Sequence, residues 1–258
     1  MIFRWLRNRR RRKILADPFP DGWLKILEAN VWQYESLSSL EQAKLRDDLR
    51  LFIAEKHWEG CGGFELTDEV RVTIAAYACL LSLGLDPDSY DHVMTILVYP
   101  EDYFVEQTVH GGGGLMRDEL SNRLGEAWLG GPVILSWADV LSSGRPRGRG
   151  RNLVIHEFAH KLDMLNHKAD GTPPLRDGAR IPKWREVIKR EYDELVGQVE
   201  RGYRTLLDPY GATNIGEFFA VATECFFENP ARLQRDEPEL YAIFREYYGH
   251  NPAARLSA

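Results

Sequence analysis

Two histidines spaced for one face of a helix constrain this chain more than any other feature. Residues 151–165 read Arg-Asn-Leu-Val-Ile-His-Glu-Phe-Ala-His-Lys-Leu-Asp-Met-Leu. His156 and His160 are four apart, so in a helix both imidazoles leave one face, one turn from each other. Val154, Ile155, Phe158, Ala159 and Leu162 surround that polar stripe, which predicts a buried helix. Two imidazoles and a carboxylate are costly to bury unless they are paired or hold a metal. At this spacing two neutral imidazoles can bind one Zn²⁺ at about 2.0–2.1 Å. Glu157, next to the first histidine, is placed to take a proton from a water rather than to touch the metal.

A zinc hydrolase usually presents three protein ligands and leaves the fourth position to water. A third histidine six residues after the second is ruled out, because Asp163 and Asn166 stand where that pattern needs glycine and histidine. His167 is one residue too far round and reads as a loop histidine. The remaining solution is a carboxylate from another helix. Asn214 can cap a helix that carries Glu217 and Glu224 among Phe218, Phe219, Val221, Ala222, Cys225 and Phe226. The two acids are seven apart and share a face, so spacing leaves both open as the ligand. Glu224 and Asp163 are also candidates to hydrogen-bond a ligand imidazole from behind.

The rest of the chain reads mostly as helices. Helical spacing covers residues 21–34 and 39–58, the second with Ser39 and Gln42 as a capping box. Thr67 caps an almost wholly apolar helix that runs to Leu83 and stops at Gly84. Met94–Tyr99 and Gly131–Trp137 read as strands, and Phe64–Leu66 as a short strand or turn. Tyr103–Val109 and Leu115–Leu124 are weaker strand candidates. Between them Gly111–Gly114 has no following Lys-Ser/Thr, which excludes a phosphate loop. Residues 143–150 form a basic loop ahead of the histidine helix. Residues 182–201 and 237–248 are amphipathic helices, the last stopped by Gly249. The strand at 131–137 is suited to pair with an extended peptide.

Charge is distributed unevenly. Residues 1–13 carry Arg4, Arg7, Arg9, Arg10, Arg11, Arg12 and Lys13 and no acid; setting these seven against the net charge of −6 leaves −13 on the remainder. An acidic body argues against nucleic-acid binding. Residues 1–16 read as a basic, disordered tail, with weak contact to an anionic membrane surface as its alternative role. Residues 17–258 read as a single catalytic domain, with a helical part at 17–90 and the metal-site core at 91–258. No apolar run reaches the roughly eighteen residues of a membrane span, and no apolar segment follows the basic start as it would in a signal peptide. Cys61, Cys79 and Cys225 are odd in number and widely spaced. That usage fits a reducing compartment, and the expected location is cytoplasmic.

The chain resembles the Mlc titration factor A family of zinc metallopeptidases. The resemblance rests on Ile155-His156-Glu157, Ala159-His160-Lys161-Leu162-Asp163, Gly131–Trp137, Phe64-Glu65-Leu66, and Tyr210 followed by Glu217, Phe219-Ala220-Val221 and Glu224. It implies a mostly helical α+β fold of the gluzincin kind with a small mixed sheet, related to the catalytic domain of anthrax lethal factor. It also implies one Zn²⁺ held by His156, His160 and Glu217, with Glu157 as catalytic base and Tyr210 placed to stabilise the oxyanion. The implied activity is hydrolysis of peptide or protein substrates, aminopeptidase-like, with a transcriptional repressor of the Mlc type as a partner. The implied alternative is a module that sequesters a transcription regulator with little or no peptidase activity.

Overall fold

The computed structural model describes residues 2–101, 130–143 and 150–256. Within them the chain is mostly helical around a small sheet, an α+β arrangement. The expectations for Tyr103–Val109, Gly111–Gly114, Leu115–Leu124 and most of the 143–150 loop fall outside the described residues.

Helix α1 (Ile2–Ala16) leads to α2 (Asp21–Asn30), α3 (Gln33–Ser36) and α4 (Ser39–Glu55). The basic head is therefore a helix and not the disordered tail expected from composition. Long-range ion pairs fix it: Arg7 meets Asp88 and Asp91, and Arg11 makes a two-pronged contact with Glu55 at 2.7 and 2.7 Å. Arg50 of α4 also holds the Asp17 carbonyl at 2.8 Å, at the end of α1. The cap of α4 lies one residue earlier than predicted. Ser38 and Glu41 form the box, because Ser38 has the extended backbone that a cap needs.

Helix α4 ends at Glu55, and His57–Gly60 turns into strand β1, where helical spacing continues to residue 58 in the sequence. Residues 64–66 form no regular element. Helix α5 (Asp68–Ser82), capped by the Thr67 hydroxyl, is buried along nearly its whole surface, as its composition predicts. It carries the chain from β1 to β2 (Thr95–Tyr99), which pairs parallel to β1, and β3 (Val133–Ser136) pairs parallel to β2. The described strands are thus all parallel, in the order β1-β2-β3, where a mixed sheet is expected. The β1-α5-β2 connection explains the direction, since parallel strands need a crossover of about a dozen residues or more, usually a helix. Ile96, Val98, Val133 and Leu135 are buried, while Ile134 on β3 is 39% exposed. Trp137 does not continue the strand; it opens α6 (Trp137–Ser143).

The histidine helix is α7 (Leu153–Asp163). Helix α8 (Ile181–Glu200) is amphipathic, and α9 (Ile215–Glu228) is buried at almost every position. Short α10 (Pro230–Asp236), α11 (Pro238–Tyr248) and α12 (Pro252–Arg255) close the chain. Trp184, Phe219, Phe226, Phe227, Phe244 and Tyr248 pack ring against ring where α8, α9 and α11 meet. Gly84 lies so close to the Tyr248 carbonyl that any side chain there would collide with it, so the end of α5 and the end of α11 touch backbone to backbone. One continuous apolar core runs from Leu27 to Ala253. No helix among the described residues is long and apolar enough to cross a membrane.

Candidate metal centre

Asn152 starts the site. Its side-chain oxygen accepts from the Ile155 backbone N–H at 3.1 Å and caps α7. Val154, Ile155, Phe158, Ala159 and Leu162 are 0% exposed, which fixes the roll of the helix and aims His156 and His160 the other way. Asn214 does the same for α9, accepting from Glu217 N–H at 3.0 Å. Glu217 therefore sits in the first turn of α9, at an end that opens beside α7.

The three side chains converge. Glu217 Oε2 is 3.0 Å from His156 Nε2 and 3.2 Å from His160 Nε2, and the two nitrogens are 3.1 Å apart. Three donors arranged tetrahedrally around zinc at about 2.0–2.1 Å would stand about 3.3–3.4 Å from one another. The observed triangle comes close to that size. The donor chemistry also fits, with two imidazoles and one carboxylate forming the group of potential metal ligands found among the described residues. Electrostatics point the same way. Burial alone would lower the His156 pKa, but the Glu217 and Glu224 carboxylates outweigh it and raise it to about 10. Burial alone would raise Glu217, but His156 and His160 outweigh it and hold it at about 2. Such a pocket attracts positive charge, whether proton or metal.

Glu224 faces the other side of the first ring. Its Oε1 lies 2.8 Å from His156 Nδ1, and its second oxygen accepts from the Asn152 backbone N–H. An acceptor on Nδ1 keeps the proton there and leaves the Nε2 lone pair for a metal. The geometry thus separates two acids that spacing left equivalent: Glu217 meets the inward nitrogens, and Glu224 meets the outward one. Asp163 is also buried, but its Oδ2 accepts from Gly171 N–H at 2.9 Å and orders the loop after α7. His167 is exposed, with a left-handed backbone at φ 64°, and is not one of the three converging groups.

Glu157 borders the triad, and burial raises its carboxyl above the ordinary range, opposed by His156 and His160. Tyr210 lies on the short turn Pro209–Ala212, capped by Asp208. Its ring centre is 6.0 Å from that of His156, and the residue is 54% exposed. The buried Lys161 ammonium donates to the Gly131 carbonyl at 2.9 Å, tying the histidine helix to the entry of β3.

Sequence reasoning did not single out Asn152 or Glu228. Asn152 Nδ2 donates to Glu228 Oε1 at 2.8 Å, and Trp32 Nε1 and Gln33 Nε2 donate to the same carboxylate at 3.0 and 3.0 Å. The signal was present in an asparagine just ahead of the histidine helix and a second glutamate one turn after Glu224.

The family model described as glucose-regulated metallo-peptidase M90 matches residues 5–249. The chain belongs to that family. Relatives include Mlc titration factor A of Escherichia fergusonii, 35% identical over 86% of this chain and 83% of its own length. The protein of that name from Salmonella agona is 33% identical over 86% and 83%. An uncharacterized Synechocystis protein is 39% identical over 96% of this chain and 90% of its own. As an M90 metallopeptidase the chain is expected to carry a metal ion, and His156, His160 and Glu217 have the donor types and mutual distances to hold one.

Proposed function

We propose that this M90 protein is a zinc-dependent peptidase, aminopeptidase-like, that hydrolyses peptide bonds of peptide or protein substrates in the cytoplasm. The observation that carries the reading is the convergence of His156 Nε2, His160 Nε2 and Glu217 Oε2, with the Glu157 carboxyl beside them. Zinc bound there would act as a Lewis acid toward a peptide carbonyl and would lower the pKa of water toward about 7.

The protein side chains have separate tasks. Glu157, raised by burial, takes the proton from the attacking water and delivers it to the leaving amine. Glu224 holds His156 in the tautomer that binds through Nε2. The Tyr210 hydroxyl donates to the oxygen on which negative charge develops. Strand β3 has β2 on one side and no partner among the described residues on the other, so that side is suited to receive an extended substrate.

The test combines metal analysis with turnover of chromogenic aminoacyl and short peptide substrates, with and without chelator. Glu157→Gln should keep stoichiometric zinc and lose most turnover; full activity in that variant would remove Glu157 as base. Glu217→Ala should lose zinc, and retention of tight metal there would overturn the triad.

The relatives' name, Mlc titration factor A, supports a second role. In that reading the chain captures a transcriptional repressor of the Mlc type. Copurification of such a repressor with both the wild type and Glu157→Gln would separate capture from cleavage.

A further inference from the structure

We infer that the outer face of α1 docks on the surface of an anionic lipid bilayer. The structure divides the basic head into two sets of cations. Arg7, Arg10 and Arg11 are engaged by the body: Arg7 by Asp88 and Asp91, Arg11 by Glu55, and Arg10 by the Ala54 carbonyl at 2.9 Å. Arg9, Arg12 and Lys13 are exposed and form no ion pair among the described residues. Trp5 and Leu6 are 55% and 48% exposed beside them. Positions 5, 9, 12 and 13 fall at i, i+4, i+7 and i+8, which places one indole and three cations on a single face. The Arg9 guanidinium lies 5.6 Å from the Trp5 ring centre, so the aromatic and basic groups form one patch.

The internal ion pairs give this patch its orientation. They turn one side of α1 onto the acidic body and present the other side outward as a basic strip. A free tail would offer the same charge without a fixed face. Cations near an anionic leaflet are attracted through the surface potential, and an adjacent Trp and Leu gain by entering the headgroup region. The exposed indole and leucine favour lipid over nucleic acid, which would reward the cations but not the leucine.

The experiment is vesicle cosedimentation of the full chain, comparing phosphatidylcholine vesicles with vesicles enriched in phosphatidylglycerol. Binding should appear only with the anionic vesicles and weaken as salt is raised. Each cation neutralised near such a surface should cost roughly five-fold in partitioning, so the triple variant Arg9→Gln, Arg12→Gln, Lys13→Gln should lose about 100-fold. That variant keeps Arg7 and Arg11, and its unfolding curve and peptidase turnover should match the wild type. Trp5→Ala should weaken binding several-fold with the charge unchanged. Equal binding to neutral vesicles, no sedimentation with either, an unaffected triple variant, or a preference for duplex DNA over anionic vesicles would each overturn the inference.

Discussion

His156 Nδ1 and Glu224 Oε1 lie 2.8 Å apart, so the first imidazole of the triad is held by one acid from behind while another faces it from the front. Glu224→Ala should therefore weaken zinc binding by about 10–100-fold without removing a ligand. Competition against a chromogenic chelator reads this directly. Wild-type affinity in the variant would mean that Glu224 serves only the α7–α9 packing.

Tyr210→Phe keeps the ring beside His156 and removes only the hydroxyl. Zinc content and melting temperature should not change. Turnover should fall by roughly 100-fold through kcat, the loss expected when one donor to a developing oxyanion is removed. A loss confined to KM would reassign Tyr210 to substrate binding.

Phe158 lies on α7 opposite the histidines, 5.0 Å from the Tyr90 ring centre and 5.7 Å from that of Phe52, and is 0% exposed. Phe158→Ala should destabilise the protein by about 3–5 kcal/mol. Chemical denaturation measures this, and the metal site should loosen in parallel, because the same contact fixes the roll of the helix.

Glu237, where α10 gives way to α11, faces Glu191 and Glu194 of α8. Burial, followed by the Glu191 carboxyl, raises its pKa to about 8. A carboxyl whose folded pKa lies above its unfolded value contributes stability that is complete below the unfolded value of 4.5 and is lost as pH rises through about 8. Arg190 partly offsets the repulsion by pairing with Glu191. Glu237→Gln should thus raise the melting temperature by about 2 °C above pH 8 and leave it unchanged near pH 4. An equal gain at both pH values would deny the acid pair.

Local chemistry was legible in the sequence wherever neighbours in the chain decide the outcome. The Thr67 cap, the apolar α5, the stop at Gly249 and the face shared by His156 and His160 all depend on spacing within a few turns. Features set by distant partners were not legible. Strand β1 is four residues long, and only its pairing with β2 makes it a strand. Helix α1 is held by acids more than 40 residues away. Glu217 and Glu224 share a face of α9, so only the height at which α9 meets α7 decides which acid meets which ring nitrogen. Spacing along one helix carries no information about that height.

The link from Lys161 to Gly131 sets the spacing between β3 and the helix that carries the two histidines. On the proposed reading, in which β3 receives the substrate, that contact would hold a docked chain at a set distance from the histidines and so build in its offset from the reacting carbonyl. Substrate preference would then be tuned from the flanking segments, by side-chain size and charge, while the reach from β3 to the reaction centre stays constant.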